Sequence, residues 1–100
     1  LPEDILYLES VDGATFAYLE KQVYRVQMSL LTAAACYDSR GFFRCSKSMV
    51  INIYRISHLQ SKPGSRICAT MENGEEVMIS RKYAKGLRQV LKGGGSRDEE

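Results

Sequence analysis

The sequence is short of what most enzymes and membrane proteins rely on. No apolar run approaches the about 20 residues needed to cross a bilayer. The start, Leu1-Pro2-Glu3-Asp4, is acidic and lacks the long apolar segment of a signal peptide. Histidine occurs once, as His58. It falls in an expected strand beside Leu59 and reads as a half-buried sheet residue, not as a base. The three cysteines, Cys36, Cys45 and Cys68, are odd in number and show no CxxC spacing, which argues against a disulfide framework and a zinc site. The glycine run at 93–95 leads into a charged tail and not into a helix, so no phosphate-cradling loop is formed. The carboxylates fall mostly at turns and show no paired arrangement for acid–base work. We therefore expect no enzyme, no cofactor and no metal.

What is present is one domain's worth of chain. One hundred residues bury about 60–65% of their surface, so the core is small. The absence of an initiator Met is expected of a segment of a longer protein. The net charge of +2 hides an asymmetry. Residues 1–39 carry two Lys/Arg against six Asp/Glu, a balance of −4, and residues 40–92 carry eleven against three, a balance of +8. Such a division predicts an anionic partner for the second half, unless the halves pack together and neutralise each other. Each cysteine lies among apolar residues and reads as a small buried thiol. Cys45 has a second reading. Next to a polar corner it is partly exposed, and Arg44 and Lys47 lower its pKa and make it oxidisable.

Alternation and turn residues predict a mainly β domain, with antiparallel strands in small packed sheets, one short central helix and a C-terminal helix. Strands at 5–10, 15–20 and 23–28 form a half-buried meander, in which Phe16 and Tyr18 share a side and Tyr24, Val26 and Met28 share another. Ser29 caps a helix at 30–37. A strand at 42–45 follows, then a single helical turn at 49–52 capped by Ser46 or Ser48, then extended chain at 54–59. Strands at 66–72 and 75–80 flank Asn73-Gly74, the preferred pair for a two-residue type I′ turn. Ile67, Ala69, Met71, Val77 and Ile79 should face the core. Ser80 caps a last helix at 81–92, whose Tyr83, Leu87, Val90 and Leu91 should dock on the sheet. Gly86 costs that helix about 1 kcal/mol against alanine, which a close approach to a strand would explain. The domain is expected to span 1–92, with a flexible Gly-rich acidic tail at 93–100.

Two stretches carry chemistry. Ser46-Lys47-Ser48 is a polar knuckle between apolar runs, and a lysine flanked by hydroxyls on a rigid corner is a device for gripping phosphate. In the last helix Arg81, Lys85, Arg88 and Lys92 share one face by their spacing. Arg81 and Lys82 lie in its first turn, where the macrodipole disfavours cations by about 0.3–1 kcal/mol each. They need a compensating partner: DNA phosphate or a base edge, or a local ion pair with Glu75 or Glu76.

The run Phe42-Phe43-Arg44-Cys45-Ser46-Lys47-Ser48-Met49-Val50-Ile51-Asn52 resembles the signature of the LytTR family of bacterial DNA-binding domains. Two further stretches match in order, residues 4–13 upstream and 72–83 downstream, so that the resemblance covers nearly all of 4–91. It implies a cytoplasmic transcription regulator that reads double-stranded DNA with loops of a β domain, in successive major grooves, and not with a recognition helix. Pairs of such domains bind repeated sites, which implies a homodimer on DNA, and a phosphorylatable receiver domain often precedes them. The resemblance gives Lys47 the place of a knuckle residue approaching DNA and Arg81 that of a base contact. The third contact falls near Ala14 and Thr15, where this chain has only small side chains. Arginine suits bidentate contact with guanine, worth about 1–3 kcal/mol of discrimination. The expected interface is thus Arg81 for base readout, with Lys47, Lys82 and Lys85 positioning the domain and Ser46, Ser48 and Thr15 beside them. Two alternatives stand: a protein-interaction module of the same fold, and a single-strand binder using Tyr and Phe as stacking platforms.

Overall fold

The computed structural model describes residues 2–96. Strands β1 (Tyr7–Val11), β2 (Ala14–Tyr18) and β3 (Val23–Val26) form the expected meander. Val11 pairs with Ala14, which leaves only Asp12-Gly13 between β1 and β2. Both have positive φ, 51° and 81°, the geometry of a type I′ turn. Helix α1 (Leu30–Cys36) begins at Ser29, whose side chain accepts from the Thr32 N–H at 3.1 Å. A 3-10 turn, Asp38–Arg40, ends on Gly41 at φ 91°. A Cβ there would meet the Tyr54 ring at 2.5 Å, so the turn needs glycine for both backbone and space.

Strands β4 (Phe42–Ser46) and β5 (Met49–Asn52) follow. The helical turn expected at 49–52 is therefore a strand. Its β-branched Val50 and Ile51 pair with β1, Tyr7 opposite Ile51 and Leu8 opposite Val50, and tertiary pairing overrides the capping signal of the serines. After a 3-10 turn, Ile53–Arg55, come β6 (Ile56–Lys62), β7 (Arg66–Met71) and β8 (Glu76–Ile79). Helix α2 (Arg81–Ser96) completes the described chain.

The first sheet has the order β3-β2-β1-β5-β4 and the second β6-β7-β8, all antiparallel. Strand alternation gives the larger sheet two apolar faces. Leu8, Ala17, Phe42 and Val50 pack against Leu30 and Ala33 of α1. Tyr7, Cys45 and Ile51 pack with Ile67, Ala69, Met71, Val77 and Ile79 of the smaller sheet and with Ala84 and Leu87 of α2. The layers run α1, five-stranded sheet, then smaller sheet with α2.

Several expectations are corrected in detail. The β7–β8 connection is a three-residue loop. The Met71 N–H donates to the Glu75 carbonyl, and Gly74 alone, at φ 90°, is left-handed. Asn73 instead accepts from the Glu75 N–H at 3.0 Å, a local side-chain bond that displaces the I′ geometry. In β2 the expected alternation holds, with Phe16 and Tyr18 half-buried on one side and Thr15 and Ala17 buried on the other. In α2 Leu87 is buried, but Val90 and Leu91, a turn further on, are exposed. Gly86 does make a close approach: a Cβ would lie 3.3 Å from the Phe43 ring. The helical backbone continues through Ser96, past the expected stop at Lys92. Glycine weakens a helix without blocking it as proline does. The acidic end at 97–100 lies outside the described residues. His58 is exposed on β6, with Nδ1 3.1 Å from Ser57 Oγ, because β6 is a sheet edge with little covering it.

Candidate nucleic-acid interface

The two stretches singled out in the sequence and the turn before Ala14 and Thr15 meet at one end of the molecule. The turn after β1 and the β4–β5 turn are adjacent, because the Ser10 N–H donates to the Ser48 carbonyl at 2.8 Å. The start of α2 is tied to the same place: the Ser80 N–H donates to the Cys45 carbonyl at 3.2 Å. The backbone thus sets Ser80-Arg81 beside the strand residue that precedes Ser46-Lys47. This rim is built by the hydrogen bonds of two sheets, so its corners are fixed relative to one another.

The β4–β5 turn has a brace that sequence reasoning missed. Arg44 Nε donates to the Ser46 carbonyl at 2.9 Å and Arg44 Nη2 to the Lys47 carbonyl at 2.7 Å. The register shifts between Arg44 and Ser46, and this irregularity lets the Arg44 side chain curl over its own turn. Ser46 Oγ accepts from the Ser48 N–H at 3.3 Å. Ser46 is therefore engaged in the turn, while Lys47 and Ser48 are exposed. An arginine two residues before a turn was the available signal.

Arg81, Lys82, Lys85 and Arg88 are exposed. The Lys92 side chain lies outside the described residues. Among the described residues neither Arg81 nor Lys82 has an ion pair with Glu75 or Glu76. Lys82 Nζ sits 5.5 Å from the centre of the Tyr83 ring, a cation–π contact that offsets part of its unfavourable place in the first turn. The Ser80 carbonyl accepts from the Tyr83 and Ala84 N–H groups and opens the helix. Thr15 is only 5% exposed, paired with Ser10 across β1 and β2, and it helps line the pocket beside Gly13 and Ala14. Arg25 and Gln27, at the end of β3, are exposed beside Gly13 and Ala14 and line a shallow pocket of about 250 Å³ there.

Beneath the rim lies Cys45, fully buried, its thiol 3.5 Å from the Met49 carbonyl. Burial pushes its pKa up to about 12, and the nearby Arg44 guanidinium only partly opposes this. The reading of Cys45 as exposed and oxidisable is thus corrected. Cys36, expected to be buried, is the exposed thiol, because α1 turns that face to solvent.

The opposite end is built differently. Arg55 donates from Nε to the Glu3 carbonyl at 2.8 Å and from Nη1 to Glu72 at 3.1 Å, with Asp4 at 3.7 Å. A cleft of about 610 Å³ opens there between the sheets, lined by Asp4, Leu6, Glu20, Arg55 and Glu72 among others.

The model of the LytTr DNA-binding domain family matches residues 1–92. The chain belongs to the LytTR family. A solved LytTr DNA-binding domain from Bacillus cereus is similar to it with a TM-score of 0.82 and 28% identity, over 88% of this chain and 81% of that one. The sensory transduction protein LytT of Bacillus anthracis is 30% identical over 90% of this chain, and that of Bacillus subtilis 28% identical over 89%. The chain spans only 37% of the length of either LytT protein. This LytTR domain is thus of a DNA-binding family found in bacterial sensory transduction proteins, with the mainly β fold of that family. No described helix is long and apolar enough to cross a membrane.

Proposed function

We propose that this LytTR domain binds double-stranded DNA sequence-specifically for a bacterial transcription regulator, using the rim that carries Lys47 and Arg81. The observation that supports this best is the meeting of separate cationic corners at one end, where Arg81 and Lys82 have no carboxylate partner among the described residues. Exposed cations held on fixed corners suit a regularly spaced polyanion. In this reading Arg81 contacts a base edge and discriminates by about 1–3 kcal/mol. Lys47, Lys82 and Lys85 meet phosphates as point charges, and Ser48 adds a hydroxyl beside Lys47. Ser46 acts through the shape of the turn.

Repeated half-sites, a homodimer on DNA, a receiver domain elsewhere in the full protein and a cytoplasmic location belong to the same proposal. The test is selection of bound duplexes from a random pool, followed by titration at several salt concentrations. A recovered consensus whose affinity falls steeply with salt supports the proposal. No duplex binding, with retained capture of a protein partner, would make the fold an interaction module. Preference for single strands would instead favour stacking on aromatic side chains.

A further inference from the structure

The basic rim has a fourth corner. Strands β6 and β7 are joined by Pro63-Gly64-Ser65, in which Gly64 and Ser65 both have positive φ, 82° and 63°. Across this tip Lys62 is paired directly opposite Arg66. Like charges in facing positions destabilise a hairpin, and among the described residues neither has an ion pair. Arg66 Nε donates to the Pro63 carbonyl at 3.0 Å, which fixes the guanidinium at the tip and leaves its other N–H groups available. The register carries the tip to the rim. Ile67 is opposite Ile79, so Arg66 lies level with Ser80 and next to the start of α2, and Ser80 is bonded to Cys45. The tip is at the far end of β7 from the cleft beside Arg55 and Glu72.

We propose that Lys62 and Arg66 form a second phosphate clamp on the DNA backbone, flanking the base-reading position of Arg81. The inference rests on the duplex-binding reading above. An anion between two facing cations removes their mutual repulsion, so the pair is unfavourable in the free domain and favourable when bound. This predicts opposite effects on folding and on binding, which a purely structural hairpin residue would not show. Lys62→Glu should turn the facing pair into an ion pair and raise the melting temperature of the free domain, while weakening duplex binding. The double variant Lys62→Gln/Arg66→Gln should keep the order of preference among site variants. Its salt slope should fall by about two, so that the affinity lost between about 50 and 200 mM salt shrinks about tenfold. The probe is a duplex recovered by selection, followed by fluorescence anisotropy, with an unrelated duplex beside it.

A double variant that keeps the wild-type slope and affinity, while Arg81→Ala changes site preference, overturns the clamp and leaves the duplex-binding reading intact. A Lys62→Glu domain that binds as tightly as wild type overturns it as well. A wild-type domain that binds no duplex overturns both.

Discussion

The two ends of this domain treat positive charge in opposite ways. At one end Arg55 is folded into a web of Glu3, Asp4 and Glu72, where its donors tie the chain start to the β7–β8 loop. At the other, Lys47, Arg81 and Lys82 stand exposed with no carboxylate partner among the described residues. Arg44, also at the rim, is the instructive exception, for it spends its donors on backbone carbonyls and shapes the turn that presents Lys47. A cation that holds the fold finds partners inside the domain. A cation left without one is available to an external anion. The sign asymmetry between the two halves of the sequence is thus not neutralised throughout: among the described residues the ion pairs that join them are at Arg40 and Arg55, away from the rim.

The largest test of this contrast removes a buried polar group next to the Arg55 end. Asn52 is 2% exposed, donates to the Ile5 carbonyl at 2.9 Å and accepts from the Tyr54 N–H at 3.0 Å. Asn52→Ala should lose about 1–3 kcal/mol in urea unfolding, because two part-buried backbone groups lose their partner. The residual folded protein should keep the wild-type salt slope for DNA. Arg81→Ala should do the reverse. It should leave stability within about 0.5 kcal/mol, and cost about 1–3 kcal/mol of discrimination at one base position. A mutant that ranks site variants as wild type does would remove Arg81 from base readout. Arg55→Ala should reduce stability by about 1 kcal/mol, since its pairs are partly solvated, and leave DNA affinity unchanged. Lost affinity there would dissolve the division between the ends.

A last contrast concerns the thiols. At pH 8 a maleimide should label Cys36 in the folded domain and leave Cys45 untouched. Cys45 has its pKa raised from 9.0 to about 12, so the folded state disfavours its thiolate. Stability from this source is full below pH 9 and is lost as pH rises from 9 towards 12, because only the unfolded chain ionises readily in that window. Tyr7, raised from 10.0 to about 12 chiefly by burial, adds to the loss in the upper part of it. An unfolding midpoint that stays constant from pH 9 to 11 would contradict the burial of both groups.

Much of this could be read in the residues themselves, and the failures share a cause. Alternation in the meander, the Ser29 cap and the core set Ile67, Ala69, Met71, Val77 and Ile79 depend on local periodicity, and they hold. Residues 49–52 misled because serine capping is a local signal, whereas Val50 and Ile51 are placed by pairing with β1, about forty residues away in sequence. Asn73-Gly74 carried the usual I′ signature, yet the I′ turn is at Asp12-Gly13; loop length follows from strand register, which the dipeptide does not contain. At the rim, exposure of Lys47, Arg81 and Lys82 followed from charge alone. The burial of Thr15 and Cys45 did not, because it depends on which face of the larger sheet each strand residue occupies. The facing of Lys62 and Arg66 needed the register as well, since their spacing around Pro63-Gly64-Ser65 admits several hairpins.

The brace from Arg44 has a consequence for variation at the tip it supports. It grips the main chain at Ser46 and Lys47, so the corner keeps its shape whichever residue stands at the tip. Under the proposed reading, exchanging the tip residue would then change how strongly this corner holds the DNA backbone, without refolding the scaffold and without altering the base contact of Arg81. The side chain at position 47 is in this sense interchangeable, and the arginine three residues earlier is what makes the exchange tolerable.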